Sequence, residues 1–432
     1  MAAGLGTRMR SELPKHLHPL LGRRLVDWAI AAAASLDPDP LVVVASPESA
    51  LAFDGLAVAV QERPQGTGDA VRAARAAVGD AAEVVVVSGD HPLLTEELMR
   101  SLLETHRGER PAATVLSFSP PDPRAYGRIV RDDEGRLRAI VEAGDATPGE
   151  LAIGEVNSSI YVFDGVRLWD ALERIEPANV QGELYLTDAV RILVDDGHPV
   201  AVYEAPDPSI VDGVNTRVEL AQAAASLRDR INERHMLAGV AIVDPATTWI
   251  EAGVELAADV TIQPFTVLRG ETKVGTGAEV GPHAVVVDAE VGARATVGPF
   301  CYLRPGTVLA EGAKAGTFVE IKNSNIGPGA KVPHLSYVGD ADVGEGSNVA
   351  AGNVTANLGH RPGRGKNRTR IGRNVKTGVH DTFMAPVEIG DDAWLAPGSV
   401  ITEDVPEGSL AGFAPRQITK EGWVYEHGKR DD

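Results

Sequence analysis

From about residue 240 onward, aliphatic residues followed by glycine recur at Val274, Val280, Val291, Val297, Ile326, Val338, Val343, Ile371 and Ile389. Many of the steps are six residues: 254 to 260, 274 to 280, 291 to 297, 326 to 332 to 338, and 389 to 395. A hexapeptide period of this kind is the signature of a parallel β-helix. Each hexad supplies one flat face and aims its aliphatic side chain at the axis. No single coil can bury its own face, so the coils must stack.

The rest of the chain has a different period. Short apolar runs, "LVVVA" (41–45), "VVVVS" (84–88), "ATVLSF" (113–118) and "IYVF" (160–163), read as buried strands. Helical stretches at 67–78, 95–107 and 182–195 lie between them. That alternation predicts a layered α/β domain with a mainly parallel sheet, whose ligands bind at the carboxyl ends of the strands. Leu220, Ala224, Leu227 and Ile231 then fall at helical spacing in an Ala-rich, charged segment, which reads as one exposed connecting helix. The expected organisation is therefore an α/β domain over 1–218, a connecting helix over 219–239 and a β-helix over 240–432.

Composition bounds the function. A length of 432 residues suits two or three domains, and with aromatics at 5% the core must be built from Val, Ala, Leu and Ile. A formal charge of −20 argues against a general nucleic-acid binder, which needs a basic face, but leaves room for a local cationic pocket around a small phosphorylated ligand. Cys301 is the only cysteine, so no intrachain disulfide can form. No apolar run approaches the roughly 20 residues of a membrane helix, and no signal peptide is visible. The expectation is a cytoplasmic protein without a membrane partner.

The motifs that carry chemistry in the first half are "AAGLGTRM", "LPKHLHPL", "QERPQGTGDA", "VVSGDHPLL", "AYGRIV", "IVEAGDA", "EVNSSIYVF" and "GVNTRVEL". They supply a glycine loop for phosphate with Arg8 and Lys15 as cations, a second turn at Gly66–Thr67, and Asp90 just past a buried strand. A carboxylate there suits Mg²⁺, which takes one or two carboxylates plus phosphate oxygens. Each piece alone is weak, since a lone Asp after a strand is often a helix cap. The complete order is far more specific.

In that order, and over essentially its whole length, the chain resembles the bifunctional N-acetylglucosamine-1-phosphate uridylyltransferase / glucosamine-1-phosphate N-acetyltransferase family. The resemblance implies a Rossmann-like α/β nucleotidyltransferase domain, a linker helix and a left-handed parallel β-helix, assembled as a homotrimer. It implies synthesis of UDP-N-acetylglucosamine, a peptidoglycan precursor, from UTP, acetyl-CoA and amino-sugar 1-phosphates. Ala2, Ala3, Gly4, Lys15, Gln61, Gly66, Thr67, Ser88, Gly89 and Asp90 would hold UTP. Asp90 and Asn215 would bind Mg²⁺. Gly127, Glu142, Asn157 and Asn215 would hold N-acetylglucosamine 1-phosphate, whose phosphate would attack the α-phosphate of UTP and release pyrophosphate. Lys15 and Arg8 would neutralise charge on the bridging oxygens.

The family also places a strand of small and aliphatic residues ahead of the glycine loop, centrally in the sheet. Its omission would leave ladder hydrogen bonds unmade on both neighbours and the loop unanchored. The expectation is that such a run lies upstream of Met1 in the reading frame, with Met1 standing at the strand's last apolar position, and that without it UTP binds poorly.

In the second half, "YLRPGT" (302–307), "GTFVEIKNS" (316–324), "VPHLSYVGD" (332–340) and "GSNVAAGNVTANL" (346–358) carry the resemblance. His334 would be the general base that takes a proton from the amine of glucosamine 1-phosphate as it attacks acetyl-CoA; imidazole suits that task. Glu320 would orient it, Arg304 and Lys322 would bind the sugar phosphate, and Tyr337, Asn348 and Asn357 would line the sugar pocket. Ala351, Val379 and Pro397 would meet acetyl-CoA. Departures gather there: "AAGN" at 350–353 and "NLGH" at 357–360 replace the family's "GAGT" and "NYDG", so that Leu358 takes the place of an aromatic residue. The stretch 360–369 is longer than usual around Lys366, Val379 replaces a serine, and Ala414 stands where a basic residue is expected, with Arg416 nearby. The expectation is a weakened acetyltransferase. The alternatives are a nucleotidyltransferase whose β-helix only trimerises, and a non-catalytic scaffold.

Overall fold

A computed structural model describes residues 1–4, 6–358, 365–413 and 417–427. Ala414 and Arg416 lie outside these residues, as do residues 360–364 of the long 360–369 stretch. The chain forms two compact units, Met1–Leu227 and Arg228–Asp432.

In the first unit eight strands carry the architecture: β1 Val42–Ala45, β2 Ala57–Val60, β3 Glu83–Val86, β4 Ala113–Phe118, β5 Arg128–Arg131, β6 Leu137–Val141, β7 Val156–Asp164 and β8 Val200–Glu204. β4 is buried at all six positions, the burial expected of a central strand. The order β8–β4–β7–β5–β6 forms one sheet, with β3 against the other half of β7. The sheet is mixed rather than mainly parallel: β8 runs parallel to β4, whereas β7 is antiparallel to β3, β4 and β5. Parallel neighbours need a helical crossover. Between β4 and β7 the chain instead makes the β5–β6 hairpin and a four-residue helix, Pro148–Leu151, so β7 returns antiparallel.

Helix Glu96–Glu109 shows why these layers close. Thr95 caps it, its side chain accepting from the Leu98 amide at 3.2 Å, and Leu98, Met99, Leu102 and Leu103 bury one stripe. The segment 67–78 is two helices, Thr67–Ala73 and Arg75–Val78, and 182–195 is helical only from Leu186.

β1 and β2 form a separate parallel pair. Between β1 and β3 lies an apolar cavity of about 320 Å³, lined along its length by Val42–Val44 and Val84–Val87. One end is closed by the first two residues. The Met1 amine donates to the Val87 carbonyl at 2.7 Å, and the Gly89 amide donates to the Met1 carbonyl at 2.8 Å. Ala2 donates to Val44 at 2.7 Å and forms a parallel bridge with Ala45. Met1–Ala2 thus stand as a short parallel rung between the two strand ends.

Helix Arg217–Leu237 is not exposed all round. Ala223 and Leu227 pack with Leu20, Leu25, Leu93 and Val214. Further along, Asn232 is fully buried and its amide donates to the carbonyls of Pro245 and Thr248.

The second unit is built from three sheets whose strands are all parallel, and the chain visits the three in rotation. From Trp249↔Val267 to Tyr337↔Val354 successive coils advance by 17 or 18 residues, as in Lys273↔Glu290↔Val308; the next step is longer, 28 residues in Val354↔Thr382. Val274, Val280, Val291, Val297, Ile326, Val338, Val343, Ile371 and Ile389 are all buried in its axis. This arrangement of parallel strands is consistent with a β-helix. At one corner, Phe265, His283, Phe300 and Phe318 stack in consecutive coils with centroid spacings of 4.7, 4.8 and 5.2 Å.

Candidate active sites

The first site is assembled by contacts across the whole first unit. Lys15, from a turn after Pro14, places its Nζ 2.5 Å from Asp90 Oδ2 and 3.0 Å from Asn215 Oδ1. Arg8 donates to the same Asn215 oxygen at 2.9 Å. Ser88 donates to Asp90 Oδ1 at 2.6 Å. Burial works to raise the Asp90 carboxyl, but the Lys15 and His91 charges and the hydrogen bonds from Lys15 and Ser88 outweigh it and hold it well below the usual carboxylate range. Asp90 is therefore a permanent anion beside a cavity of about 190 Å³, which Arg8, Tyr126, Asn215 and Glu219 also line.

Two oxygens, one carboxylate and one amide, converge on a single cation at hydrogen-bond distance. That donor set fits a Mg²⁺ that takes its remaining ligands from phosphates and water. Among the described residues no group of three or more His, Cys, Asp or Glu side chains could cage a metal by itself.

Asn215 is fixed by an element whose signal is in the sequence. The Glu219 carboxylate accepts from the amides of Asn215 at 2.7 Å and Thr216 at 2.8 Å, while the Thr216 hydroxyl accepts from the Glu219 amide. "TRVE" is thus a capping box that opens the helix. Arg124 binds Glu219 at 2.6 Å and also pairs with Asp212, which accepts from Tyr126 at 2.8 Å. Arg124, Tyr126, Asp212 and Glu219 were not among the residues the motifs singled out.

The other first-unit residues fall into smaller groups. Gln61, buried, donates to the Gly66 carbonyl and to Asp69, and Thr67 accepts from the Leu186 amide. Gly66 has φ 115°, and a Cβ there would sit 2.4 Å from the Leu184 carbonyl, so only glycine fits. Ala2 and Ala3 are buried while Gly4 is exposed. A Cβ at Gly89 would meet the Met1 carbonyl at 2.9 Å. Glu142 is held by Thr187 at 3.2 Å beside Gly127, whose Cβ position is 3.4 Å from Glu142 Oε2. Asn157 is buried and donates to Tyr161. Burial, then neighbouring Asp145, Asp188 and Glu183, raise the Glu142 carboxyl against the Thr187 hydrogen bond.

The second site lies on consecutive coils of the second unit. Register aligns Tyr302, Glu320 and Tyr337 on one sheet, and Thr317 with His334 on the next. His334 is exposed at the corner between them. Arg304 donates to Glu320 at 2.7 Å, so Glu320 is engaged by the guanidinium, and no hydrogen bond joins it to the His334 ring among the described residues. Lys322 lies against Lys366, whose hydrogen bond and charge, with Arg304 beyond, lower the Lys322 ammonium. Three cations thus gather on one exposed patch, a match for a phosphate. Asp340, buried, accepts from Asn323 at 2.6 Å and from Asn357. Lys366, which the sequence analysis named only as lying in a stretch longer than usual, joins this patch, and Asp340, although within the "YVGD" motif, had no assigned part.

A MobA-like NTP transferase domain model matches residues 1–203. The bifunctional protein GlmU of Streptomyces avermitilis is 47% identical over 450 residues, covering 98% of this chain and 93% of its own. The GlmU of Mycobacterium marinum is 45% identical, with 99% and 92% covered, and that of Thermoanaerobacter pseudethanolicus 42% identical, with 100% and 98% covered. The chain belongs to the bifunctional GlmU family. Both halves lie inside these alignments, so the family assignment extends to the coils that bear His334 as well as to the domain that bears Asp90. Among the described residues no helix is long and apolar enough to cross a membrane.

Proposed function

We propose that the chain makes UDP-N-acetylglucosamine in two steps, one per unit, in the cytoplasm. The second unit, read as a left-handed β-helix, moves the acetyl group of acetyl-CoA onto the amine of glucosamine 1-phosphate and releases the CoA thiol. His334 takes the proton that the amine loses, at a ring with no other side-chain partner among the described residues. Arg304, Lys322 and Lys366 bind the sugar phosphate, and Tyr337, Asn348 and Asn357 border the sugar. Glu320 positions Arg304 rather than the base.

In the first unit a phosphate oxygen of N-acetylglucosamine 1-phosphate attacks the α-phosphorus of UTP, and pyrophosphate leaves. Little covalent chemistry is asked of the protein; alignment and charge neutralisation carry the step. Lys15 and Arg8 offer their charge to the phosphates. Glu142, Asn157 and Gly127 receive the sugar, and the groups at Ala2–Gly4, Gln61, Gly66–Thr67 and Ser88–Gly89 receive the nucleotide. Asp90 and Asn215 would hold Mg²⁺, which neutralises phosphate charge when bound.

The observation that carries the first step is the convergence of Lys15, Arg8, Asp90 and Asn215 on one point from four separate segments. The full-length GlmU likeness disfavours a nucleotidyltransferase with an idle coil. A homotrimer fits the exposed apolar corner of Phe265, Phe300, Phe318 and Leu335, which a neighbour would cover; a monomer in sedimentation at micromolar concentration would remove that part.

The reciprocal test uses Asp90→Ala and His334→Ala. Asp90→Ala should abolish Mg²⁺-dependent pyrophosphate release and spare CoA thiol release; His334→Ala should do the reverse. Full pyrophosphate release in the first, or full thiol release in the second, overturns the corresponding assignment.

A further inference from the structure

Arg124 holds a left-handed backbone, φ 41°, on the loop that joins β4 to β5 and passes through Gly127. A residue with a Cβ is strained there, so its surroundings must hold it in place. They do. The Arg124 amide donates to Asp122 Oδ1 at 3.0 Å. Arg128, buried at the start of β5, donates to the Arg124 carbonyl at 3.1 Å and also to the Tyr126 carbonyl. The loop is thereby fastened to the sheet whose strand β7 carries Asn157. From that fixed base the guanidinium grips two carboxylates, Glu219 at 2.6 Å and Asp212. Those two residues flank Asn215 in the chain.

The segment that bears Asn215 is held at one position after another. His91 Nδ1 donates to the Val211 carbonyl at 2.7 Å. The Tyr126 hydroxyl donates to Asp212 at 2.8 Å and accepts from the Gly213 amide at 2.9 Å. The Val214 amide donates to the Asp90 carbonyl at 2.8 Å. Glu219 divides its two oxygens: Oε2 accepts from the amides of Asn215 and Thr216, and Oε1 accepts from Arg124. Arg124 thus closes a frame around Asn215 from both sides. It lines the same cavity as Asp90 and Asn215. Its charge, however, is already neutralised by two carboxylates within the frame, which leaves Lys15 and Arg8 as the cations offered to phosphate.

We infer that Arg124 is a positioning residue for the metal-binding amide. It ties the Asn215 segment to the sheet that bears the sugar site, and so sets where Mg²⁺ sits relative to the attacking phosphate. This rests on the uridylyltransferase reading and adds a residue that no motif named. Partners that orient a metal ligand from behind typically contribute about ten- to a hundredfold in metal affinity. Without Arg124, Asp212 and Glu219 would face each other with no cation between them, and the turn carrying Asn215 would lose its outer support.

The test titrates Mn²⁺ into the full chain holding UDP-N-acetylglucosamine and reads the free ion by electron paramagnetic resonance. Arg124→Ala should raise the Mn²⁺ Kd about tenfold or more, with the UDP-N-acetylglucosamine Kd in EDTA unchanged. Glu219→Gln keeps an oxygen for the two amides but removes the charge that Arg124 grips, so it should raise the Mn²⁺ Kd with Arg124 still present. The double variant should be no worse than the weaker single variant, because both act through one contact. Arg124→Lys, which can meet one carboxylate but not bridge two, should recover part of the loss. Mg²⁺ activation of pyrophosphate release should shift by the same factor as the Mn²⁺ Kd. An unchanged Mn²⁺ Kd in the single variants overturns the inference. So does an equal rise in the metal-free Kd, which would make Arg124 a support of the fold alone. Additive losses in the double variant also overturn it, by making Arg124 a direct phosphate contact. If the unsubstituted chain binds no Mn²⁺, the uridylyltransferase reading itself fails, an outcome separate from any difference between variants.

Discussion

Extending the chain by four residues ahead of Met1, Val-Val-Val-Leu, tests whether the cavity between β1 and β3 accepts a strand. The existing rung fixes the register: Met1 already lies between Val87 and Gly89, and Ala2 beside Ala45, both parallel. An extended segment continuing backwards from Met1 would run between Val42–Val44 and Val84–Val87 and could hydrogen-bond to both edges. Burying four such side chains contributes about 6–12 kcal/mol, against about 5–9 kcal/mol of lost chain entropy. A second gain comes from the Met1 amine. Burial lowers it from 8.0 to about 6 against the opposing Asp90 charge, so at neutral pH folding must strip a proton from it. Removing that proton costs about 1.4 kcal/mol near neutral pH, and an amide N–H in its place keeps the bond to Val87 without that cost. The net is about 3–4 kcal/mol, or roughly 6–15 °C in the Tm of this unit. The sign of the pH effect gives an independent readout. A depressed amine makes the protein gain stability as pH rises from about 6 to 8, and the extension should flatten that slope. Anchoring the Ala2–Gly4 turn should also lower the UTP KM. Thermal melts across that pH range, with a proline-containing extension as control, would decide it. An unchanged Tm with the slope intact would refute the reasoning.

Glu142→Gln should raise Tm at about pH 8 and leave it unchanged near pH 4, because burial raises this carboxyl and the folded state loses stability as pH rises through its value. The same variant should lose uridylyl transfer through the sugar KM; a stabilised variant with full activity would remove Glu142 from the sugar site. His16 is buried, and burial followed by the Lys15 charge depresses it from 6.5 to about 4, Asp90 opposing. Its contribution is present above pH 6.5 and is lost as pH falls towards 4, by about 3 kcal/mol. Urea titrations should show that acid loss reduced in His16→Gln, and an identical acid limb would show that other groups carry it.

Legibility in the sequence followed the range of the interaction that sets each feature. The coils were readable because Val274, Val280, Val291 and Val297 repeat a requirement every few residues, and each satisfies it by entering the same axis. The "TRVE" capping box was local in the same sense, although its consequence, the fixing of Asn215, was not. The mixed sheet was not readable, since strand direction depends on whether a helix or a hairpin intervenes, and the apolar runs are alike in both cases. Side-chain partners were harder still. Lys15 finds Asp90 and Asn215 across 75 and 200 residues, and Arg124 reaches Glu219 across 95; no spacing rule spans such separations.

Glu320 shows how a motif can supply the right neighbourhood and the wrong partner. "FVEIK" and "YLRPGT" are separate segments in the sequence, but one coil apart they set Arg304 within 2.7 Å of Glu320. A guanidinium competes better than a neutral imidazole for a carboxylate, because its hydrogen bond is charge-assisted from both sides. That leaves His334 without a carboxylate among its described contacts, on the rim of a patch already holding Arg304, Lys322 and Lys366. With no neighbour engaging its ring, a nitrogen is free to accept the proton of an amine whose phosphate those three cations hold.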